Sequence, residues 1–319
     1  MIDELKQFPY PFKDDVYRYS NNSTLMERPI CVEVTRKYKE EVLLKRELLQ
    51  EHPERCFQAL NHTNEVQWEA VQLVMEDLAT QYPEYFSLEK NGSRWEFMNK
   101  ILDEKTEFDF GGSATLSYAP LDFIGRHVQE DLIIMMERDG DLFLDAGQLC
   151  FPSNWSLAFK LGMNFKDIHF PIPRFNEEGL DERILRFLLR IEAGNPWWRK
   201  NWSLMAGARL DTSLETFDVW GKERRKVTSE NAGEIVHLRV EVQKLFRMPK
   251  SNAILFTIHT HLLPLQSFIK NRDWLKQFYA VLSELPAHIA DYKGISAYRN
   301  AILEFLKKHL DEDGWPENE

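Results

Sequence analysis

The chain has 319 residues, of which 43% are hydrophobic and 13% aromatic, so it can build a sizeable core in one or two domains. It has no run of about 18 uncharged apolar residues, so no membrane span is expected. Its N-terminus has no basic and apolar leader, so no secretory signal is expected. The net charge of −11 argues against nucleic-acid binding. Cys31, Cys56 and Cys150 follow no CxxC spacing, which argues against a thiolate zinc site and predicts a cytoplasmic protein.

Residues 1–109 are predicted to form a mostly helical N-terminal region. The stretch 35–52 places its apolar residues along one helical stripe, which Lys45 interrupts. The stretch 64–82 repeats this pattern and stops before Pro83, a residue that cannot continue a helix. These helices are typical of an amphipathic packing layer and carry no motif of their own.

Residues 110–265 change to a strand-like pattern. Two apolar runs flank Asp139-Gly140, a dipeptide typical of the two-residue turn of a β-hairpin. Ser153 is a predicted N-cap of the next short helix, and Gly162 is its predicted C-terminal stop. A second helix is predicted over 177–194.

The stretches 235–246 and 253–263 alternate apolar and polar residues and predict two strands. If these strands pair, their polar side chains lie on one face of a sheet. The two polar rows are His237, Arg239, Glu241 and Gln243, and Thr257, His259 and His261. Two interpretations stay open: a solvated face, as antiparallel sheets often have, or the wall of a pocket, which the residue types favour.

Residues 266–319 are predicted to be helical and to pack on the preceding region. Helices, a hairpin, short helices, more strands and closing helices follow one another along the chain. This order predicts an α+β fold, with an antiparallel sheet and helices over one face. The sequence contains no GxGxxG after a strand, no GxxxxGK[ST], no HExxH and no GxSxG, so no nucleotide site or standard hydrolase site is expected.

A lone histidine, His169, lies in the stretch 167–175, DIHFPIPRF. Pro171 and Pro173 fix φ and reduce the freedom of the segment that holds the imidazole. One histidine cannot form a zinc site, but it is sufficient as the axial ligand of a haem, and tryptophans such as Trp155 and Trp202 lie nearby in sequence. A core histidine satisfied by a hydrogen bond is the alternative interpretation.

Seven short motifs occur in a fixed order along the chain. They are QEDL at 129–132, LCFPSNW at 149–155, KLG at 160–162, IHFPIP at 168–173, RKNW at 199–202, LRVEVQKLFRMP at 238–249 and FTIHTHLLPL at 256–265. This series resembles the pattern of the haem-dependent oxidative N-demethylase alpha-subunit-like family from about residue 110 to 265. An ordered series is more specific than any one of its motifs.

The resemblance implies a PAS-like haem-binding domain at 110–265, a curved antiparallel sheet flanked by the helices of 1–109 and 266–319. It implies that haem b uses dioxygen to oxidise a small secondary amine such as dimethylamine, which gives a primary amine and formaldehyde. Electrons would come from NADPH through separate flavin and iron–sulfur partners. A tetrahydrofolate-binding partner subunit would take up the formaldehyde.

The resemblance also implies roles for individual residues. His169 matches the motif of the iron ligand, and Arg239, Glu241 and Gln243 match a catalytic row. In that row Glu241 would pair with an ammonium group, while Arg239 would meet a haem propionate or orient the glutamate. The remaining implied cofactor contacts are Trp155, Asn201, Trp202, His259 and His261.

This chain departs from the resembled pattern at three positions. His259 and His261 stand where the pattern reads Arg and Tyr, which makes either of them a competing iron ligand, and Val242 stands where a basic residue is common. Two further functions stay open: a non-catalytic PAS-like sensor or carrier of haem or a small ligand, and an interaction protein that has lost the haem.

Overall fold

The computed structural model describes residues 2–18, 22–177 and 179–311. The chain forms two compact units, each built from segments that are distant in sequence. The first unit contains Met1–Asn22, Lys200–Val242 and Thr260–Glu319, and the second contains Ser23–Arg199 and Gln243–His259. The three consecutive segments expected from the sequence stay a prediction, and residues 312–319 of the last segment lie outside the described residues.

Ten strands are assigned within the described residues. They are β1 (Thr24–Leu25), β2 (Phe57–Ala59), β3 (Phe86–Asn91), β4 (Arg94–Asn99), β5 (Glu104–Asp109), β6 (Asp131–Arg138), β7 (Asp141–Gln148), β8 (Trp197–Ala206), β9 (Val236–Arg247) and β10 (Ile254–Pro264). Seven of them form one sheet in the order β1-β8-β9-β10-β6-β7-β2, and β3, β4 and β5 form a second.

Helices precede, separate and follow these strands. The α-helices of the described residues are α1 (Ile2–Gln7), α2 (Tyr38–Glu51), α3 (Pro53–Cys56), α4 (Asn64–Gln81), α5 (Pro120–Gly125), α6 (Leu157–Lys160), α7 (Phe165–His169), α8 (Leu180–Leu189), α9 (Phe217–Trp220), α10 (Ala232–Ile235), α11 (Arg272–Glu284), α12 (Ala287–Tyr292) and α13 (Arg299–Asp311). The predicted α+β class with a large antiparallel sheet is confirmed. Whether the sheet is PAS-like stays a prediction.

The β6–β7 hairpin forms where the sequence predicts it. Asp139 and Gly140 both have positive φ, +53° and +73°, as a type I′ turn requires. Arg138 pairs with Asp141 next to the turn, and β6 also pairs antiparallel with β10, where Thr257 lies opposite Leu132. The turn residues therefore set the register of the hairpin.

The second unit packs apolar side chains against both faces of this hairpin. On one face, Leu132 and Ile134 join a large cluster with helices α2 and α4. On the other face, Ile133 belongs to a smaller cluster with Leu157 and Ile258. A strand covered on both faces reads as a continuous apolar run, which is the pattern of 132–136.

Gly147 on β7 gives a test of this packing. A Cβ atom there would lie 2.8 Å from Cδ1 of Ile133 and 2.9 Å from Cδ1 of Leu157. Overpacking of a close-packed core costs about 1–3 kcal/mol, so we expect Gly147→Ala to lower the free energy of unfolding in urea by that amount. Ala158→Ser, at an exposed position of α6, is the control and should change it by less than about 0.5 kcal/mol. Equal stability of the two variants would contradict the packing described here.

The first unit has its own core beneath β9 and β10. Val236, Leu238 and Val240 on β9 pack with Leu263 on β10 and with side chains of helices α10 to α13. The N-terminal segment joins this core through Tyr10, whose ring stacks on that of Trp274 with centroids 4.1 Å apart. The predicted closing helices are therefore the packing partners of the strands in this unit.

Lys45 lies on the buried stripe of α2 and explains why the predicted stripe is interrupted. Its side chain is fully buried. Its Nζ donates to the backbone carbonyls of Val128, at 3.2 Å, and Glu130. The amine thus satisfies two buried carbonyl groups of the segment that leads into β6, and the aliphatic part of the side chain fills an apolar position.

Three features of the fold differ from the predictions. The β3–β5 sheet lies in a region predicted to be mostly helical. Trp95 and Phe97 are buried at alternate positions of β4, but each of the three strands is only six residues long. The predicted N-cap Ser153 is wrong, since Ser156 caps α6 by accepting from the backbone N–H of Phe159. Strand β8 was not predicted. No helix in the described part of the chain is long and apolar enough to cross a membrane.

Candidate functional site

Strand β9 is buried on both of its faces along the polar row. Val240 is fully buried on one face, while Arg239 is 1% exposed and Glu241 is 7% exposed on the other. A solvated face would leave these charged side chains in water. The solvated-face interpretation is therefore wrong for Arg239 and Glu241.

Arg239 is held by three groups of the first unit. Its Nε donates to Oε1 of Glu241 at 3.3 Å, its Nη1 to the carbonyl of Leu210 at 2.9 Å, and its Nη2 to Oγ1 of Thr260 at 3.1 Å. A buried ion pair is favourable only when further hydrogen bonds satisfy the remaining donors. This set of contacts matches an Arg239 that orients Glu241.

Asn201 of β8 supports the other oxygen of the same carboxylate. Its Nδ2 donates to Oε2 of Glu241 at 3.3 Å. Each oxygen of Glu241 thus receives a hydrogen bond from a neighbouring side chain, which fixes the orientation of the carboxylate. Such a buried, oriented carboxylate is suited to bind a small cation. Gln243 lies two residues further along β9 and is half-buried.

The two polar rows lie on opposite faces of the sheet, so the expectation that they share one is wrong. The hydroxyl of Thr260 lies with Arg239, and strand alternation therefore directs the neighbouring His261 to the other face. Leu263, which shares a face of β10 with His261, packs in the same cluster as Val240 on the apolar face of β9. This agrees with the placement of His261 away from Arg239. Strand register, which the sequence does not specify, decides this point.

His259 lies in a buried cluster of charges in the second unit. Its Nδ1 is 3.2 Å from Oε1 of Glu130, and its Nε2 is 3.9 Å from Oε2 of Glu41. Glu130 also accepts the backbone N–H of Glu33 at 2.8 Å, and Gln129 donates to Glu41. Two carboxylates therefore flank one fully buried imidazole.

The charge of His259 follows from this environment. Burial alone would lower the pKa of His259, but the neighbouring carboxylates, Glu130 first, raise it to about 10. Burial raises the pKa of Glu130, but His259, Lys244 and the backbone N–H of Glu33 together lower it below its usual value. An imidazolium has no free lone pair for a metal. His259 therefore lies between two carboxylates, and its implied role as a competing iron ligand stays a prediction.

Stability should fall in alkali because of His259. Because its pKa is raised, His259 keeps a proton in the folded chain that it loses near pH 6.5 in the unfolded chain. The resulting stabilisation is complete below pH 6.5 and is lost as pH rises through about 10. We expect urea unfolding to show a slope of up to about −1.4 kcal/mol per pH unit from this group. His259→Gln should lose this share of the slope, whereas His52→Gln, at an exposed position, should keep it. Identical slopes in all three proteins would contradict the assignment.

His169 closes the short helix α7 in the second unit. Its Nδ1 lies 2.7 Å from the carbonyl oxygen of Phe165, and its ring packs against Phe165 and Phe175 with centroids 4.2 and 5.3 Å away. Burial lowers the pKa of His169 to about 4, although the Phe165 carbonyl opposes this, so the ring is neutral near pH 7. Nδ1 is then the protonated nitrogen, and Nε2 carries a free lone pair.

The same local geometry occurs at a second histidine. Nδ1 of His309 lies 2.8 Å from the carbonyl of Phe305, with ring centroids 4.5 Å apart. The arrangement is thus shared by the two helical positions at which a histidine follows a phenylalanine by four residues. The geometry makes His169 competent as a ligand but does not by itself distinguish it from His309.

The two predicted tryptophan contacts belong to different surroundings. Trp155 packs against the cluster that contains Leu157 and Ile258 in the second unit. Trp202 packs in the core of the first unit, with its ring 5.0 Å from that of Phe12 and its carbonyl accepting from Lys293. Their roles as cofactor contacts, like those of the other site residues, stay predictions.

Several residues of these networks were not singled out from the sequence. Thr260 and the Leu210 carbonyl hold Arg239, and Glu41 and Glu130 flank His259. Thr260 lies between two histidines on β10, so its side chain is directed to the opposite face from theirs. With the strand register known, this alternation would have identified it as a neighbour of Arg239. Glu41 lies on a helix with an ordinary amphipathic pattern, which carries no such signal.

The chain matches a known protein family over most of its length. Residues 24–303 match the family model described as haem-dependent oxidative N-demethylase, alpha subunit-like. That description denotes a haem-dependent oxidoreductase, and the match extends well beyond the motif series on both sides. Since it spans far more than half of the sequence, the chain belongs to the haem-dependent oxidative N-demethylase alpha subunit-like family.

Proposed function

We propose that this protein is a haem monooxygenase that removes a methyl group from a small secondary amine such as dimethylamine. The observation that carries the proposal is His169, a neutral histidine within the family match whose Nδ1 is engaged by a carbonyl so that Nε2 can bind a metal. Haem b, when bound, would activate dioxygen and oxidise a methyl C–H bond, giving the primary amine and formaldehyde.

The residues around His169 fit a haem. Phe159 and Phe170, on α6 and just after α7, are 65% and 74% exposed, which is unusual for phenylalanine and suits contact with an apolar macrocycle. The three cysteines are buried and free, so we assign the axial position to His169 and not to a thiolate. We further propose that these residues belong to a PAS-like haem-binding region at 110–265.

Glu241 is the proposed site for the ammonium group of the substrate. Its carboxylate is almost fully buried, and Arg239 and Asn201 orient its two oxygens. We propose that the ammonium group donates a charge-assisted hydrogen bond to this oriented carboxylate. Gln243, in the same row, is proposed to contact the substrate or the cofactor.

Electrons and the product require partner proteins. We propose that NADPH supplies electrons through a separate flavin and iron–sulfur partner, and that a tetrahydrofolate-binding subunit takes up formaldehyde. The family description as an alpha subunit supports partners of this kind. We propose a cytoplasmic location on the basis of the cysteine usage.

The test is haem loading followed by turnover. Purified protein is titrated with haemin, its Soret band is recorded, and formaldehyde is assayed with NADPH, a surrogate flavin and iron–sulfur reductase, and dimethylamine or its neutral analogue dimethyl ether. We expect stoichiometric haem and formaldehyde from the amine but not from the ether, which cannot pair with Glu241. Protein that takes up no haem overturns the proposal. A haem complex without any formaldehyde would instead support the sensor or carrier function.

A further inference from the structure

We propose that Thr260 is a positioning residue, whose hydroxyl fixes the guanidinium of Arg239 so that Arg239 holds Glu241 in one orientation for a cationic substrate. The proposal rests on the proposed function of Glu241 and adds a residue of β10 to that site. Thr260 has no role among the predicted site residues.

The contact is buried and lies within the first unit. Oγ1 of Thr260 accepts from Nη2 of Arg239 at 3.1 Å, and Thr260 is 3% exposed. Water therefore has little access to replace the hydroxyl as an acceptor. Because the strand alternates, Thr260 is directed to the face of Arg239, between two histidines that are directed away from it.

The geometry of the guanidinium makes this contact informative. The group is planar, and its donors lie in a fixed fork. The Leu210 carbonyl holds Nη1 from the backbone, and Thr260 holds Nη2 from a β-branched side chain with a stiff χ1. When both terminal nitrogen atoms of the rigid guanidinium are held, the direction of its Nε–H is fixed as well. This N–H donates to Oε1 of Glu241.

Removal of the hydroxyl should therefore affect Glu241 through Arg239. Without the hydroxyl, the guanidinium loses one of the contacts that fix its plane, and Glu241 is therefore held less firmly in its orientation. A loss of this kind weakens binding of the amine more than it slows the chemical step, because the reacting methyl group does not touch Thr260.

The test compares Thr260→Val, which removes the hydroxyl at nearly constant shape, with Thr260→Ser, which keeps it. In the haem-loaded protein we expect Thr260→Val to raise KM for dimethylamine about tenfold with kcat within about twofold, and Thr260→Ser to stay near the wild-type values. The Soret band should be unchanged in both. If Thr260→Val does not fold, Thr260→Ala removes the hydroxyl without added bulk. An unchanged KM overturns the proposal.

A second measurement separates this proposal from the proposed function. A double-mutant cycle of Arg239→Met and Glu241→Gln on urea unfolding gives the coupling between the two side chains without any turnover. We expect the coupling to fall to less than half when the cycle is repeated with Thr260→Val and to be retained with Thr260→Ser. Equal coupling in all three backgrounds overturns the role of Thr260, whatever the haem experiment shows. Reduced coupling in a protein without turnover supports it and rejects only the enzymatic function.

Discussion

His169→Ala is expected to abolish stoichiometric haem uptake. The imidazole is the proposed protein ligand to the iron, and alanine offers no replacement for its Nε2. The Soret band of haemin-titrated protein should change from a saturable, ligated spectrum to the broad spectrum of weakly associated haem, with at least a tenfold loss of affinity, as expected for the removal of a metal ligand or its supporting contact. The measurement is an optical titration with a pyridine haemochrome assay of bound haem.

The chain itself offers a matched control for this change. His309 makes the same hydrogen bond to a carbonyl four residues earlier and the same ring contact with a phenylalanine. His309→Ala thus removes an equivalent set of local contacts and should leave haem uptake unchanged. Loss of haem in both variants would point to a general loss of structure. Retention of haem in His169→Ala would assign the iron to another group, with His261 the next candidate to test by the same titration.

Arg239→Met is expected to cause a large loss of stability. It leaves the carboxylate of Glu241 buried without its cation, and the removal of one partner of a buried pair costs about 3–5 kcal/mol. The effect should appear as a lower midpoint of urea unfolding, with the slope unchanged. Amine turnover should be lost as well, because Glu241 then lacks the donor that orients its Oε1.

A compensating change separates the two effects. Adding Glu241→Gln to Arg239→Met removes the unpaired charge and should restore at least half of the lost free energy of unfolding. It should not restore turnover, because a neutral amide cannot form the charge-assisted hydrogen bond proposed for the ammonium group. Lys244→Met, which breaks the buried contact of Lys244 with Glu33 in the second unit, is the control for a buried cation of no catalytic role. A double variant as unstable as Arg239→Met would contradict the pairing.

The local sequence pattern was sufficient to predict those strands whose formation depends on residues adjacent in sequence. The β6–β7 hairpin follows from Asp139-Gly140, and β9 and β10 follow from strict alternation. The strands β3 to β5 were missed although Trp95 and Phe97 alternate on β4, because each strand is only six residues long and charged residues separate the few apolar ones. Ser156 and not Ser153 caps α6, a shift of three residues that propensity alone does not resolve.

The site was predictable as a set of residues but not as an arrangement. The row of Arg239 and Glu241 is recognisable because charged side chains on a strand between apolar ones need partners. Its partners Asn201 and Thr260 come from two other strands, and only the register between strands decides which side chains meet. The same register separates His261 from that row, which no count of residues along the chain would show.

The reactivity of the Lys45 amine can be used to measure local unfolding around α2 in the second unit. An amine that is fully buried and donates to two carbonyls cannot react with an acylating reagent until α2 separates from the chain that leads into β6. Surface lysines such as Lys39 carry no such protection. The rate at which Lys45 is acetylated under native conditions, read by mass spectrometry, therefore measures how often this helix detaches, and bound haem should slow it if the cofactor stabilises the unit.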